Sequence, residues 1–418
     1  MNKKEVYRIA ILNHHASAPD VGGGGRHYDI AKLFAEKGHK ITIIASSYAN
    51  GTKKYNYNEE VVIKQFGDNL NFVYLKTKPA YKNIITRFVN YIDYMRKAAK
   101  FNSFKCRPNV IIASSVHPFA WVAGHKLSRR YNAKFIVEVR DLWPLSMYED
   151  FSGIIRKIVF SLFESLERKY YNLADAIITT APYAYEYMEE KYGIDKSKVF
   201  HIPHGLDISE FDKNTKLEDK VLDDGLRQVL DNNFCITYTG SLSKSEGLPT
   251  FVESAKYLKG INKMKLVIVG SGSEKSILET IIKEHNLDNV IMVDKQPKEF
   301  IPLILKKSDV LFCGLMEREA FKYGISKNKF YDYMASGKPI IFASSVRDSL
   351  IDKAEAGITI KPHEPEELAK AIKYLYENID TIGKQYGQNG RRYVEKYHTN
   401  NRITQQFMDV IEFCNCKN

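Results

Sequence analysis

The sequence predicts two doubly wound α/β domains in tandem, and three observations point there. Short apolar runs alternate with longer amphipathic stretches along nearly the whole chain, the pattern of parallel strands covered by helices. The chain has 418 residues, more than one hydrophobic core ordinarily serves. A polar stretch from about Ile208 to Asn233 interrupts the alternation near its middle. Open sheets bind ligands at the carboxyl ends of their strands, so two such domains are expected to face a central cleft that holds the site.

In the first half, strands are expected at Arg8–Leu12, Ile41–Ala45, Val110–Ala113, Phe135–Val139 and Ala176–Thr179. Each is a near-continuous apolar run, as a strand covered on both faces requires. Helical spacing of apolar residues falls between them, at Arg26–Glu36, Ile84–Phe101, Phe119–Tyr131 and Ile154–Tyr171. The interrupting stretch carries Asp212-Lys213-Asn214-Thr215 and Asp223-Asp224-Gly225 and reads as a linker. Strands resume at Phe234–Thr239, Lys265–Val269, Val290–Val293, Val310–Cys313, Ile340–Ala343 and Ile358–Ile360, with helical patterns between them. Helices at Glu366–Glu377 and Asn401–Cys414 close the chain. The expected division is residues 1–205, residues 206–396, and a helix in 397–418 that packs back on the first domain.

Composition narrows the partners. There are 62 Lys and Arg against 50 Asp and Glu, a net +12, which favours phosphate-bearing partners. The excess is local. Residues 76–107 contain nine basic residues and only Asp93 as an acid. The five cysteines are mostly scattered, so a disulfide framework is not expected and a reducing cytoplasm fits. Cys414 and Cys416 lack a partner pair at zinc-site spacing. The apolar stretch near the N-terminus is too short for a signal-peptide core, and no segment approaches the roughly 20 apolar residues of a bilayer span. The expectation is a cytoplasmic protein, soluble or peripheral on the inner face of the plasma membrane.

Gly22-Gly23-Gly24-Gly25 separates the first strand from the helix at Arg26. Backbone amides in such a loop approach phosphate closely, and the helix dipole favours negative charge there. A merely flexible loop fits the same residues. A dinucleotide site fits poorly, because the spacing is not G-x-G-x-x-G and the second strand ends in Ala45-Ser46-Ser47, without the ribose-binding acid.

The second half repeats the logic at Thr239-Gly240-Ser241 and Val269-Gly270-Ser271-Gly272. Its most informative stretch is GISKNKFYDYMASGKP, Gly324 to Pro339. Ser326 is a plausible N-cap for a helix reaching Ala335, with Lys327 and Lys329 flanking its first turn. Amides, dipole and ammonium groups would there converge on a diphosphate. An amphipathic helix with solvated lysines is the alternative.

Taken in order, GGGGRHYDIAKLFAEKGHKITIIAS, EVRDLWP, IPHGLDISEF, YTGSLSKSEGL, VIVGSGSE and GISKNKFYDYMASGKP resemble a family-4 glycosyltransferase of the GT-B fold. The branch suggested builds bacterial surface polysaccharides and O-antigens, and the resemblance runs from Arg8 to about Tyr397. It implies a retaining, metal-independent transfer of a sugar from a nucleotide donor, UDP-linked, to a hydroxyl of a lipid-linked or oligosaccharide acceptor. No cofactor is implied, and the chain contains no Asp-x-Asp triplet to carry a divalent ion.

By position, the resemblance assigns Gly23 and Gly24 to the donor phosphates, and Gly240 and Ser241 to a phosphate-contacting turn. Gly270 and Gly272 match a donor-side turn, Lys295 marks where the base docks, and Asp332 matches a ribose ligand. His204 stands in the I-P-N-G-x-D-like run, and Arg140-Asp141 where many members have His-Asp near the reacting carbon. Ser326, Asn328 and Lys244 complete the donor side. Three departures from the pattern stand out. Gly324 occupies the place of the first acid of E-x7-E. Ser241 and Glu246 replace the Arg and Lys of the usual phosphate clamp, and Arg140 replaces His. Lys329, Lys244 or Arg26 would supply the missing cation, with Lys329 the main replacement and, beside Arg140 and Asp141, a catalytic group.

His14, His15 and His117 follow strands that end at the cleft; contact with an acceptor hydroxyl and ordinary loop roles both fit them. Trp143 is either a sugar-stacking platform or core, while Trp121 reads as core. In the basic segment, Ile84, Phe88, Tyr91, Ile92, Met95 and Ala99 share a helical stripe, with Arg87, Arg96, Lys97 and Lys100 elsewhere. Such a helix lies on an anionic membrane surface or turns its stripe into a core. Nucleic acid is not expected, because no recognised motif accompanies the charge. A nucleotide-sugar 2-epimerase of the same fold and a non-catalytic nucleotide-binding relative are the competing functions.

Overall fold

A computed structural model describes residues 5–49, 53–80, 84–115, 117–146 and 153–416. Two compact units are present. One runs to Pro203 and takes in the segment from Asn400 onward; the other is His204–Thr399.

The first unit begins with β1 (Arg8–Leu12), α1 (Arg26–Glu36), β2 (Lys40–Ser46) and the short pair β3 (Tyr48–Ala49) and β4 (Lys54–Tyr55). Next come β5 (Val61–Gln65), β6 (Leu70–Leu75), α2 (Ile84–Lys100), β7 (Val110–Ser114), α3 (Phe119–Tyr131) and β8 (Lys134–Val139). It continues through α4 (Gly153–Leu173), β9 (Ala176–Thr179), α5 (Ala184–Tyr192) and β10 (Val199–His201). The eight-stranded sheet has the order β10-β9-β8-β7-β1-β2-β6-β5, with only β5 antiparallel to its neighbour. Period-two alternation sends Ile9 and Ile11 of β1 into a core with Phe34 of α1. Ala10 and Leu12 go to the other face, with Tyr94 and Ala98 of α2 and Leu127 of α3.

The second unit contains α6 (Ile208–Asn214), α7 (Asp224–Asn232), β11 (Phe234–Ser241), α8 (Leu248–Ser254), β12 (Met264–Ser271) and α9 (Lys275–Glu284). It goes on through β13 (Val290–Val293), α10 (Ile301–Lys307), β14 (Val310–Gly314), α11 (Asn328–Ser336), β15 (Ile340–Ala343) and α12 (Leu350–Lys353). β16 (Gly357–Ile360), α13 (Pro365–Glu377) and α14 (Lys384–Tyr397) end it. Its six strands are all parallel, in the order β13-β12-β11-β14-β15-β16. The last helix, α15 (Asn400–Cys416), buries Ile403, Phe407, Ile411 and Cys414 in the first unit's core, with Ile9 and Phe34.

One expectation needs correction, one element was not expected, and one open alternative is narrowed. The polar stretch Ile208–Asn233 is mostly helical, not a linker: Asp207 caps α6 by accepting from the Glu210 amide, and Asp223 caps α7 through the Gly225 and Leu226 amides. The hairpin of β5 and β6 was not anticipated, although Val61-Val62-Ile63 and Gly67-Asp68-Asn69 carry its strand and turn signals. The helix of the basic segment 76–107 turns part of its stripe into the core: α2 buries Tyr91, Tyr94, Ala98 and Ala99, and Lys97 is paired with Glu60 at 2.8 Å. Residues 81–83 of that segment lie outside the described residues. Among the described residues, no helix is long and apolar enough to cross a membrane.

Winding reverses between β1 and β7 in the first sheet and between β11 and β14 in the second. The loops leaving the two central strands diverge at such a point, which opens a crevice at their carboxyl ends.

Candidate functional site

In the first unit, the reversal brings together segments about 100 residues apart. His14, just beyond β1, and His117, beyond β7, meet with Nδ1 and Nε2 2.6 Å apart. The His14 ring stacks on Tyr94 at 4.4 Å, and His117 on Tyr91 at 4.0 Å. Both histidines are fully buried, and burial holds their pKa values well below the ordinary range. The bond between them is therefore one N–H donating to one neutral acceptor nitrogen. Neither ring is open to an acceptor hydroxyl, which corrects their assignment as acceptor contacts. His15 is the half-exposed member, stacked on His14 at 4.4 Å. Burial, with Arg140 and Arg87 nearby, lowers its pKa to about 4. Trp143 is core: its ring packs edge-on against Phe163 at 5.2 Å. Trp121 is buried as expected.

Arg140 and Asp141 follow β8. The Arg140 amide donates to Ser115 Oγ, and its carbonyl accepts from Thr180 Oγ1, so its backbone is tied on both sides. Asp141 is exposed, yet crowding by the surrounding protein raises its carboxyl pKa, against the pull of Arg140.

Gly23 is close-packed: a Cβ there would lie 2.3 Å from Ser17 Oγ. Gly24 faces open space, and Gly25, with φ of 133°, caps α1. Arg26 is not available as a phosphate clamp. Its Nε donates to Glu138 Oε1 at 2.8 Å, and its other nitrogens donate to the carbonyls of Pro203 and Ile202. Glu138 also accepts from His27 Nε2 at 2.6 Å, while His27 Nδ1 accepts from the Asn13 amide. Burial works to raise the Glu138 carboxyl pKa, but His27 and Arg26 outweigh it and hold the group well below its usual range. Sequence reasoning missed this network, since Glu138 reads locally as one polar residue in an apolar strand.

In the second unit, the reversal joins the loops after β11 and β14. Glu246 Oε1 accepts from Lys327 Nζ at 2.9 Å, and Oε2 accepts from Lys329 Nζ at 2.6 Å. Lys329 also donates to Tyr238 Oη at 2.9 Å and sits over the Tyr238 ring. Gly240, with φ of 145°, makes room: a Cβ there would lie 3.0 Å from Lys329 Nζ. Desolvation opposes ionisation of Glu246, and the two lysines overcome it, lowering its pKa. Thus the residue standing where a clamp lysine is usual is a carboxylate, and it gathers two lysines from the other side of the crevice.

The remaining donor-side residues are spread around this cluster. Ser241, Lys244 and Asn328 are exposed. Ser326 does not cap α11, whose N-cap is Lys327; its hydroxyl pairs with Tyr331 Oη at 2.8 Å and receives the His204 amide. Asp332 lies one turn along α11 from Asn328, and burial raises its pKa to about 6. Gly270 and Gly272 have a packing cause: a Cβ would lie 1.9 Å from Gly240 O and 2.3 Å from Leu242 O. Lys295 is exposed beyond β13. Among the described residues, no three His, Cys, Asp or Glu side chains are grouped to hold a metal ion.

Comparison with known proteins bears on family and fold. Residues 21–210 match the family described as Glycosyltransferase Family 4, and residues 227–393 match Glycosyl transferases group 1. The O-antigen chain mannosyltransferase C of Escherichia coli is 22% identical over 301 residues, 70% of this chain and 72% of that protein. The chain spans between 40% and 63% of the length of the first curated relatives it matches. Among solved structures, sucrose-phosphate synthase of Thermosynechococcus elongatus has a TM-score of 0.73 at 16% identity, covering 99% of this chain and 100% of that one. HepE of Anabaena, in complex with UDP and glucose, has a TM-score of 0.65 at 16% identity, covering 97% of this chain and 99% of that one. At such identities the likeness is one of fold.

Proposed function

The chain belongs to the glycosyltransferases of the GT-B fold, and we propose that it transfers a sugar, with retention, from a UDP-sugar to a hydroxyl of a lipid-linked glycan. The observation that carries this reading is the pair of lysines on Glu246. A leaving nucleoside diphosphate gains negative charge as the C1–O bond breaks, and placed cations at that point lower the barrier. Lys327 and Lys329 are two such cations, beside Gly240 and at the first turn of α11, where amides and helix dipole add to their field. Asp332, one turn on, is suited to accept hydrogen bonds from a ribose. His15, beyond β1, and Arg140 and Asp141, beyond β8, stand at the carboxyl ends of the first unit's strands and are assigned to the acceptor and the reacting carbon. The names of the polysaccharide-building relative and of the UDP-bound neighbour support the substrate classes.

Titration calorimetry with UDP tests the donor half. Lys329→Ala is expected to weaken UDP binding by about tenfold or more, the scale of one lost charge-assisted contact. Unchanged affinity and turnover in that variant would remove Lys329 from the site. Turnover is also expected to persist in excess EDTA, since the lysines take the place of a metal; its loss would refute the metal-independent reading.

A further inference from the structure

Two helices of the first unit carry apolar stripes past the point where they pack. α2 and α4 meet along a seam of Phe88, Ile92 and Met95 against Val159, Phe163 and Leu166, with the Phe88 and Phe163 rings 5.7 Å apart. Ile85 stands two turns before Ile92 and is 69% exposed, with Val89 exposed beside it. On α4, Leu162 stands one turn before Leu166, and Ile158 and Ile154 continue the stripe at steps of four residues, 63% and 69% exposed. Five large aliphatic side chains thus extend a buried seam into solvent on adjacent helices, a clustering that scattered surface apolar residues do not produce.

Within the two helix segments that carry these side chains the charge is positive; Asp93 and Glu164 come next along the helices, and Glu149 and Asp150 precede α4 in the sequence. Segments 84–92 and 153–163 hold Arg87, Arg156 and Lys157 and no acidic residue. Neither helix has an acid in its first turn, so the positive end of each helix dipole is unopposed by its own side chains. Self-association fits this poorly, because a two-fold contact would set each copy's cations against their own counterparts. An anionic bilayer fits well: aliphatic side chains enter the acyl boundary while cations and helix ends meet lipid phosphates.

We propose that the N-terminal halves of α2 and α4 together form a surface that inserts into anionic membranes, with Ile85, Val89, Ile154, Ile158 and Leu162 as the inserted side chains. This deepens the reading of a lipid-linked acceptor, and rests on it for its purpose. The α4 half lies outside the basic segment that sequence alone singles out.

Vesicle sedimentation tests it, with phosphatidylglycerol–phosphatidylcholine vesicles against phosphatidylcholine alone, at low and high salt. The protein is expected to bind the anionic vesicles at low salt and to release at high salt. Ile85→Asp and Ile158→Asp are each expected to lower partitioning by about tenfold or more. Ile63→Asp, at another exposed aliphatic residue, on β5, should bind as the parent does. Because the altered side chains are exposed, the variants should keep the parent's melting temperature; Ile85→Ser and Ile158→Ser serve if the aspartates do not. No binding by the parent protein, or equal binding by both α2 and α4 variants, would overturn the proposal. So would light scattering showing a dimer that these substitutions dissociate while vesicle binding stays unchanged. UDP calorimetry without vesicles keeps the two readings separate: loss of UDP binding would count against the donor site, and loss of vesicle binding against this surface.

Discussion

Glu138 and Glu246 each hold two nitrogen-bearing side chains, but the accessibility of those partners differs. Side chains of Arg26 and Glu138 are 4% and 0% exposed, whereas Lys327 and Lys329 keep 20% and 15%. A diphosphate can therefore reach the lysines, while the Arg26 pair is closed. Glu138→Gln leaves a buried guanidinium without its counter-charge and should cost about 3–5 kcal/mol, read by chemical denaturation, with UDP affinity of the folded protein unchanged. Glu246→Gln should do the reverse. It removes the carboxylate that would compete with a diphosphate, so UDP should bind roughly five- to tenfold more tightly, with a smaller loss of stability than in Glu138→Gln because the two lysines keep contact with water. Weaker UDP binding in that variant would show that the carboxylate is needed to align the lysines. Both carboxylates are plain in the sequence, but their partners lie 112 and 81 to 83 positions away, and no local pattern announces that distance.

At the scale of elements, α4 and α5 are joined by one buried carboxylate. Glu167 of α4 accepts from Tyr171 Oη at 2.7 Å, and from Tyr187 and Tyr192 of α5 at 2.8 and 2.5 Å. Burial raises its pKa to about 7 in spite of the three donors. The folded state therefore keeps a proton that the unfolded chain releases near the ordinary carboxylate value, and this group's contribution to stability falls as pH rises from about 4.5 to 7. Over that window the loss is on the order of 3 kcal/mol. His15, whose pKa is lowered, adds a slope of the opposite sign as pH falls below its ordinary value. The readout is accordingly the difference between the parent protein and Glu167→Gln: the gap between their melting temperatures should change steadily between pH 4.5 and 7, and a constant gap would contradict the account. Element positions themselves were largely legible, because a strand covered on both faces leaves a continuous apolar run and a helix leaves a 3.6-residue period. The β5–β6 hairpin was less legible, since Val61 and Ile63 of its edge strand face solvent and the alternation is short.

Across the whole molecule, the chain returns to its first unit at the end. α15 supplies Ile403, Phe407, Met408 and Ile411 to the core that also holds β1 and α1, and Phe407 lies under the Arg26 guanidinium. At roughly 1.5–3 kcal/mol for each buried aliphatic or aromatic side chain, removing this helix takes away an amount comparable with the stability of a whole domain. A chain ending at Thr399 should lose the first unit's cooperative unfolding transition while the second unit's persists, visible as one calorimetric transition in place of two; retention of both would refute the account. The sequence by itself determined the α/β class, the two-part organisation, the helical end of the chain, the lysines at the start of α11 and the local basic excess, because each is written in neighbouring residues as period, composition or spacing. Tertiary structure alone decided that His14, His117 and Trp143 are buried, that Arg26 serves Glu138, that Glu246 gathers Lys327 and Lys329, and that α4 completes the apolar surface of α2. The reason is physical. Depth and pairing depend on which loops meet where a parallel sheet reverses its winding and on which helices share a seam, and those neighbours are far apart along the chain.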